Sequence, residues 1–297
     1  MVRTKSFKIA AVQAAPVFLN LGASVDKACE LIREAGGKGA ELVVFPEAFL
    51  PGYPIWVWFI PPGHTHPLRA LYSTLLSNSI EIPGAETQRL GEVAKEQGVT
   101  LAIGVNERNS EASNSSLYNT LLYIGPEGSI LGRHRKLIPT AGERLVWAQG
   151  DGSDLEVYSL PFGKLGGLIC WENYMPLARY ALSAWGEQIH VAPTWDRGEP
   201  WLSTMRHTAK ESRTFVISAC QAFHKDDIPG DLAFKDDITM SRIHATIVKE
   251  GSDYRIFDEQ STSGSFVNEQ RVPDYGIQLI DRDEIRLGGV TLRFRQP

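Results

Sequence analysis

Apolar positions along this chain change period repeatedly, and each change marks an element. Phe7 to Ala14 alternates as a strand does. Asn20-Leu21-Gly22-Ala23-Ser24 then opens a helix whose apolar positions Val25, Ala28, Cys29, Ile32 and Ala35 keep helical spacing until Gly36-Gly37. Glu41 to Phe45 is a short continuous apolar run ending at Pro46-Glu47, the pattern of a strand buried on both faces. Helical spacing returns over 67–79 and 84–98, followed by a strand over Val99 to Val105. Leu117 to Ile124 and Ser129 to Arg133 form a hairpin around Pro126-Glu127-Gly128. Val157 to Leu160 and Leu165 to Ile169 are consecutive strands around Pro161-Phe162-Gly163, and Met175 to Leu182 switches to helical spacing with Pro176 suited to its first turn. Ala184 to Ala192 ends in a strand, Trp201 to Arg213 is helical and Thr214 to Ala219 is a strand again. Strands alternating with helices predict an α/β or α+β layered domain whose sheets are covered.

Three predicted strand exits carry a chemically capable side chain: Glu47, Lys136 within His134-Arg135-Lys136-Leu137-Ile138-Pro139-Thr140, and Cys170 within Gly166-Gly167-Leu168-Ile169-Cys170-Trp171-Glu172-Asn173-Tyr174. A strand-to-helix turn suits a nucleophile, because free N–H groups of a first helical turn favour thiolate over thiol. Plainer readings stand beside this one. Cys170 fits a small core residue, Glu47 a solvated strand end, and Lys136 a solvated basic face. Ala141-Gly142-Glu143-Arg144 adds a second carboxylate just downstream. The aromatic loop from Phe49 to Ile60, with Tyr53, Trp56 and Trp58, fits either the wall of an apolar pocket or a subunit contact.

Composition narrows the classes. With 43% apolar and 22% charged residues, 297 residues suffice for one large domain or two smaller ones. A net charge of -5 gives no electrostatic reason to expect nucleic acid or an anionic membrane as partner. No apolar run reaches the ~18 residues of a membrane span, and Met1 to Ser6 leads into a strand, so a cytoplasmic location is expected. Cys29, Cys170 and Cys220 make neither a disulfide framework nor a metal-ligand pattern; Cys29 and Cys220 are expected in the core.

In their order and spacing, Phe45-Pro46-Glu47-Ala48-Phe49, His134 to Thr140, Glu143-Arg144-Leu145-Val146-Trp147 and Cys170-Trp171-Glu172 resemble the nitrilase branch of the carbon–nitrogen hydrolase superfamily, over positions 7 to about 235. The resemblance implies a four-layer α-β-β-α sandwich and a Glu47–Lys136–Cys170 triad, with Glu143 as a second active-site glutamate. It implies cysteine-dependent hydrolysis of a small-molecule nitrile through a thioimidate and a thioester. Glu47 serves as the base, and Lys136 with the N–H of Trp171 holds the developing negative charge. No metal or organic cofactor is required, and a homo-oligomer, at least a dimer, is expected. Trp56, Trp58, Trp171 and Trp195 point to an apolar, partly aromatic substrate pocket.

From about Ile238 the pattern changes to short alternating strands: Ala245 to Val248, Tyr254 to Phe257, Phe266-Val267, Ile277 to Leu279, Glu284 to Leu287 and Val290 to Phe294. Ser241-Arg242-Ile243-His244-Ala245, Ser263-Gly264-Ser265-Phe266-Val267-Asn268 and Asp283-Glu284-Ile285-Arg286-Leu287-Gly288 resemble the later strands of a forkhead-associated (FHA) domain, a β-sandwich whose loops bind phosphothreonine. The expected division is a C-terminally truncated hydrolase domain over 1–235 and a partial FHA-like domain over 238–297. By resemblance Ser241 and Ser263 face a phosphopeptide, with His244 as a structural support; plain turn chemistry is the alternative for both serines. A phosphothreonine-peptide adaptor and an inactive fusion are the functions that compete with nitrile hydrolysis.

Overall fold

A computed structural model describes residues 6–60, 62–111, 113–224, 227–229, 245–259, 261, 263–288 and 290–296. The chain divides into two compact units, Met1–Phe223 and His224–Pro297.

In the first unit, β1 (Ile9–Ala11), β2 (Leu42–Val44), β3 (Thr100–Arg108), β4 (Leu117–Ile124) and β5 (Ile130–Arg135) form a five-stranded sheet in sequence order. β1, β2 and β3 run parallel; β4 and β5 return antiparallel. β2 shows why its sequence does not alternate. Val43 faces α1 (Leu21–Gly37) and α3 (Ala85–Gln97), where Val25, Ala28, Ile32, Leu90 and Val93 close one core. Leu42 and Val44 face the other way, onto a second sheet. That sheet runs β6 (Tyr158–Leu160), β7 (Gly163–Gly167), β8 (Ile189–Thr194), β9 (Phe215–Cys220), the last three parallel and joined by α4 (Pro176–Ala184) and α5 (Glu199–Ser212). Leu165, Ile189, Val191 and Ala219 meet Leu42, Val44, Ala102 and Leu121 between the sheets. Ala178 and Leu182 of α4 cover Leu168, and Trp201 and Met205 of α5 cover Ala192. Helices, sheet, sheet, helices: the layers are those the resemblance implies, in a nitrilase-like α+β fold.

Two local details differ from the sequence reading. The first strand is only Ile9–Ala11, because β2 offers just three partners, Leu42 to Val44. Between β7 and α4 the chain makes a separate 3-10 turn, Cys170–Tyr174, before Pro176 starts the helix. Elsewhere agreement is close. The amide of Ala23 donates to Asn20 Oδ1 at the start of α1, and α2 (Thr65–Ser77) fills one predicted helical stretch. Cys29 is buried in α1, whereas Cys220 at the end of β9 is only half-buried. Among the described residues, no helix is long and apolar enough to cross a membrane.

From Ala245 on, the regular elements among the described residues of the second unit are all strands. β10 (Ala245–Glu250), β11 (Asp253–Asp258) and β14 (Ile277–Leu279) form one sheet; β13 (Gln270–Arg271), β12 (Ser265–Val267), β15 (Glu284–Leu287) and β16 (Val290–Arg293) form another. Ile256, Val267, Val272, Leu279 and Ile285 make its core. Asp258 ties the β11–β12 turn together by accepting from the Ser261 amide (3.0 Å), Ser261 Oγ (2.6 Å) and Ser265 Oγ (2.6 Å). Ser263 lies in that turn; Ser241, Arg242 and His244 lie outside the described residues.

Candidate active site

Each of the three strand exits is shaped by its neighbours before any chemistry is considered. Beyond β2 the chain crosses β3 at Gly104, where a Cβ would lie 2.3 Å from the Pro46 carbonyl and 2.7 Å from Glu47 Cα. Only glycine permits that crossing. Asn106 donates to the carbonyls of Leu50 and Gly52 and accepts from Trp147 Nε1, and Gln221 donates to the Glu47 carbonyl at 2.6 Å. Lys136 continues β5, its amide donating to Asn119 O at 2.8 Å. Cys170 has φ +50°, the left-handed region that a side chain normally avoids.

That strained turn is pinned by the two residues after Trp171. Glu172 accepts from the Ile169 amide and from the Leu137 amide, both at 2.6 Å, joining the residue before Cys170 to the residue after Lys136. Both its oxygens lie 3.1 Å from His134 Nε2, whose Nδ1 faces Asp154 at 3.1 Å. Burial works against a charge on His134, but Glu172 and Asp154 outweigh it and raise its pKa to about 10. Asn173 donates to the carbonyls of Leu168 and Cys170 and accepts from His190, which is held in turn by Glu187.

The structure brings Glu47, Lys136 and Glu143 into one buried cluster. Lys136 Nζ donates to Glu47 Oε1 and Glu143 Oε2, each at 2.8 Å. The two carboxylates are not equivalent. Glu143 also accepts from Tyr53 Oη (2.6 Å) and the Thr140 amide (2.7 Å), so both its oxygens are occupied. Glu47 Oε1 takes Lys136 and Asn119 Nδ2 (2.7 Å), while its buried Oε2 has no hydrogen-bond partner among the described residues. A buried oxygen with no donor is free to receive a proton.

The charges interlock. Burial pushes Glu47 up from the ordinary carboxylate range, against the pull of Lys136. For Lys136, burial disfavours the charge, but Glu47 and Glu143 overcome it and hold the ammonium well above its ordinary value. The Cys170 thiol, 4% exposed, is pushed up by burial and by Glu47, with Lys136 opposing. It rests as a thiol, with Glu47 its strongest charged influence.

Around this centre Tyr53 lies parallel to Trp195 at 4.7 Å between ring centroids and edge-on to Trp147. Trp58 donates to Tyr53 Oη at 3.0 Å, so Tyr53 and Trp58 serve Glu143 as well as any pocket wall, and Trp56 is buried. Trp171 is 43% exposed, and its Nε1 donates to Asp196 Oδ2 at 3.1 Å. Ser263 belongs to the second unit. Among the described residues, no group of three His, Cys, Asp or Glu is disposed to hold a metal ion. Sequence reading missed Asn119, Gln221 and Thr194, and named Tyr53 only as a pocket wall or subunit contact. Asn119 had a signal, a buried amide inside the apolar run Leu117 to Ile124; the others are set by contacts distant in sequence.

The sequence profile of the carbon–nitrogen hydrolase family matches residues 8–259, and the chain belongs to that family. The match runs past Phe223 to just beyond β11. Within the family the chain falls with the nitrilases. It is 46% identical to an aliphatic nitrilase of Sinorhizobium fredii (strain HH103) over 225 residues, 75% of this chain and 71% of the relative. It is 42% identical to nitrilase 1 of Arabidopsis thaliana over 248 residues, 82% and 70% of the two chains. Among solved structures, Nit3 of Saccharomyces cerevisiae superposes with a TM-score of 0.62 at 17% identity, covering 89% of this chain and 87% of that one. An amidase from Nesterenkonia sp. gives 0.57 at 20% identity, covering 74% and 78%. These two likenesses support the fold.

Proposed function

We propose that the first unit hydrolyses a nitrile to a carboxylic acid and ammonia, with Cys170 as nucleophile. The observation that carries this reading is the division of labour between the carboxylates: Glu143 is saturated, and Glu47 keeps one buried oxygen open. As the sulfur attacks the nitrile carbon, its proton passes to Glu47 Oε2, and the nitrogen charge is met by Lys136 and the Trp171 N–H. Glu47 passes that proton to the nitrogen, which completes the thioimidate and restores the carboxylate; water then adds to the carbon, giving its proton through Glu47 to the nitrogen. As the C–N bond breaks, the new hydroxyl gives its proton through Glu47 to the departing nitrogen, and ammonia leaves the thioester. A second water, activated the same way, attacks the thioester; its C–S bond breaks, releasing the acid and restoring the thiol. The raised thiol pKa suits this order, since proton transfer accompanies attack instead of preceding it. The names of the relatives support nitriles as the substrate class.

The test is ammonia release by the purified chain from a panel of aliphatic and aryl nitriles, with Cys170→Ala as the blank. Release that vanishes in the variant is expected; equal release by both proteins would overturn the reading. Product analysis distinguishes acid from amide.

A homo-oligomer, at least a dimer, belongs to the same proposal. It is supported by the outer surface of α4, where Leu177 (83% exposed) and Tyr180 (72%) stand one turn apart, with Trp185 following the helix. None of the three cysteines forms a disulfide, which suits a reducing cytoplasm. For the C-terminal stretch we propose an FHA-like sandwich as a separate domain, supported by its two sheets and its own core. Loss of phosphothreonine-peptide binding in Ser263→Ala would support the loop assignment. Equal titration curves would refute it.

A further inference from the structure

Cys170 Sγ has one hydrogen-bond partner among the described residues, and it is not Lys136. Thr194, buried at the end of β8, places its hydroxyl 3.2 Å from the sulfur. The ammonium of Lys136 is divided between two carboxylates, Glu47 and Glu143. It favours charge at the sulfur through space and donates its hydrogen bonds to the carboxylates.

The direction of the Thr194 proton follows from its other partner. The amide N–H of Asp196 donates to Thr194 Oγ1 at 2.8 Å, filling one of the two acceptor positions of the hydroxyl. No second acceptor for the hydroxyl proton lies within reach among the described residues, so once the sulfur is an anion the proton points at it. The turn that supplies this amide is itself fixed: Asp196 accepts from Trp171 Nε1 at 3.1 Å and from the Gly198 amide at 3.2 Å. Trp171, next to the nucleophile, thus helps hold the backbone group that orients Thr194.

Resting on the reading of Cys170 as nucleophile, we propose that Thr194 is a further catalytic residue, donating its hydroxyl proton to the Cys170 thiolate. The donor acts at two moments. On attack, the S–H bond breaks, the proton goes to Glu47 Oε2 and the electron pair on sulfur becomes the S–C bond. In the last step the S–C bond breaks and that pair returns to sulfur, which leaves as a thiolate until Glu47 gives the proton back. At both moments sulfur bears charge while Glu47 carries the proton, in a buried setting where a hydrogen bond to an anion is strengthened. Burial and the carboxylates push the thiol pKa upward; Thr194, with Lys136, pulls it down.

The variants are Thr194→Val, which keeps the branched shape and loses the hydroxyl, and Thr194→Ser, which keeps the hydroxyl and loses the methyl. The readout is the rate of Cys170 carbamidomethylation by iodoacetamide between pH 6 and 10. It is followed on the Cys170 peptide by mass spectrometry, so that Cys29 and Cys220 do not contribute. Thr194→Val is expected to react about tenfold or more slowly at neutral pH, with its profile displaced to higher pH, and Thr194→Ser to track the wild type. Equal rates for Thr194→Val and wild type would overturn the proposal. So would equal slowing in Val and Ser variants, which assigns the effect to packing. Thr194→Ala takes the place of Val if the latter does not melt cooperatively. Nitrile turnover by Cys170→Ala, run alongside, separates failure of this assignment from failure of the functional reading itself.

Discussion

His134→Gln removes the imidazolium that Glu172 and Asp154 surround, and it makes a prediction whose sign depends on pH. In the folded protein His134 holds its proton to about 10, against an ordinary 6.5. Each tenfold change in proton affinity is worth about 1.4 kcal/mol, so the ceiling on this contribution is ~5 kcal/mol. The folded-state value is raised, so the stabilisation is complete below pH 6.5 and is lost as pH climbs through 10. Breaking a buried pair by removing one partner costs about 3–5 kcal/mol, which sets the expected deficit of the variant at pH 6. Urea unfolding of both proteins from pH 6 to pH 9.5 measures the gap. It should narrow by about 3 kcal/mol between pH 6.5 and pH 9, as the wild type loses what the variant never had. A gap that stays constant across the range would refute the assignment of a charged His134 and leave only a packing defect.

Other outcomes follow from the same cluster. Glu47→Gln should preserve the melt and abolish nitrile turnover: Lys136 and Asn119 both require an oxygen at Oε1, which turns the new amide N–H2 into the open position where an acceptor is needed. Retained turnover would sink the assignment of Glu47 as base. Glu143→Gln should lower both activity and stability, because one of three buried donors, from Tyr53, Thr140 and Lys136, loses its acceptor, at about 1–3 kcal/mol; an unchanged melting temperature would contradict it. Leu177→Glu with Tyr180→Glu should lower the mass found by light scattering without unfolding the chain, since neither side chain enters the core. An unchanged mass would remove α4 from the proposed contact.

The layers were legible because burial on both faces writes itself into β2 as a continuous apolar run, and Glu47 and Cys170 were legible because each ends an apolar stretch; Lys136 instead follows the polar residues Arg133 to Arg135 of β5. What pairs with what was not. Nothing in a linear pattern places Glu172 between Leu137 and Ile169, or Thr194 against Cys170; those contacts span 35 and 24 positions of sequence. The backbone at Cys170 was equally hidden. A smooth strand-to-helix passage was the simplest expectation, and the 3-10 turn with φ +50° exists because Glu172 and Asn173 hold it from either side. In the second unit, alternation marked most strands, but two-residue β13 is too short to leave a periodic trace.

Gly104 touches no reacting atom and has no side chain with which to do so. Yet a single methyl there would drive the backbone of Glu47 away from β3, since the nearest atoms, Pro46 O and Ala48 N, would sit 2.3 and 2.5 Å away. In a scan of all single substitutions scored by turnover, position 104 should therefore be as intolerant as position 47. An inventory of the enzyme drawn from its chemistry alone would leave out the residue that lets Glu47, the proposed base, reach the site.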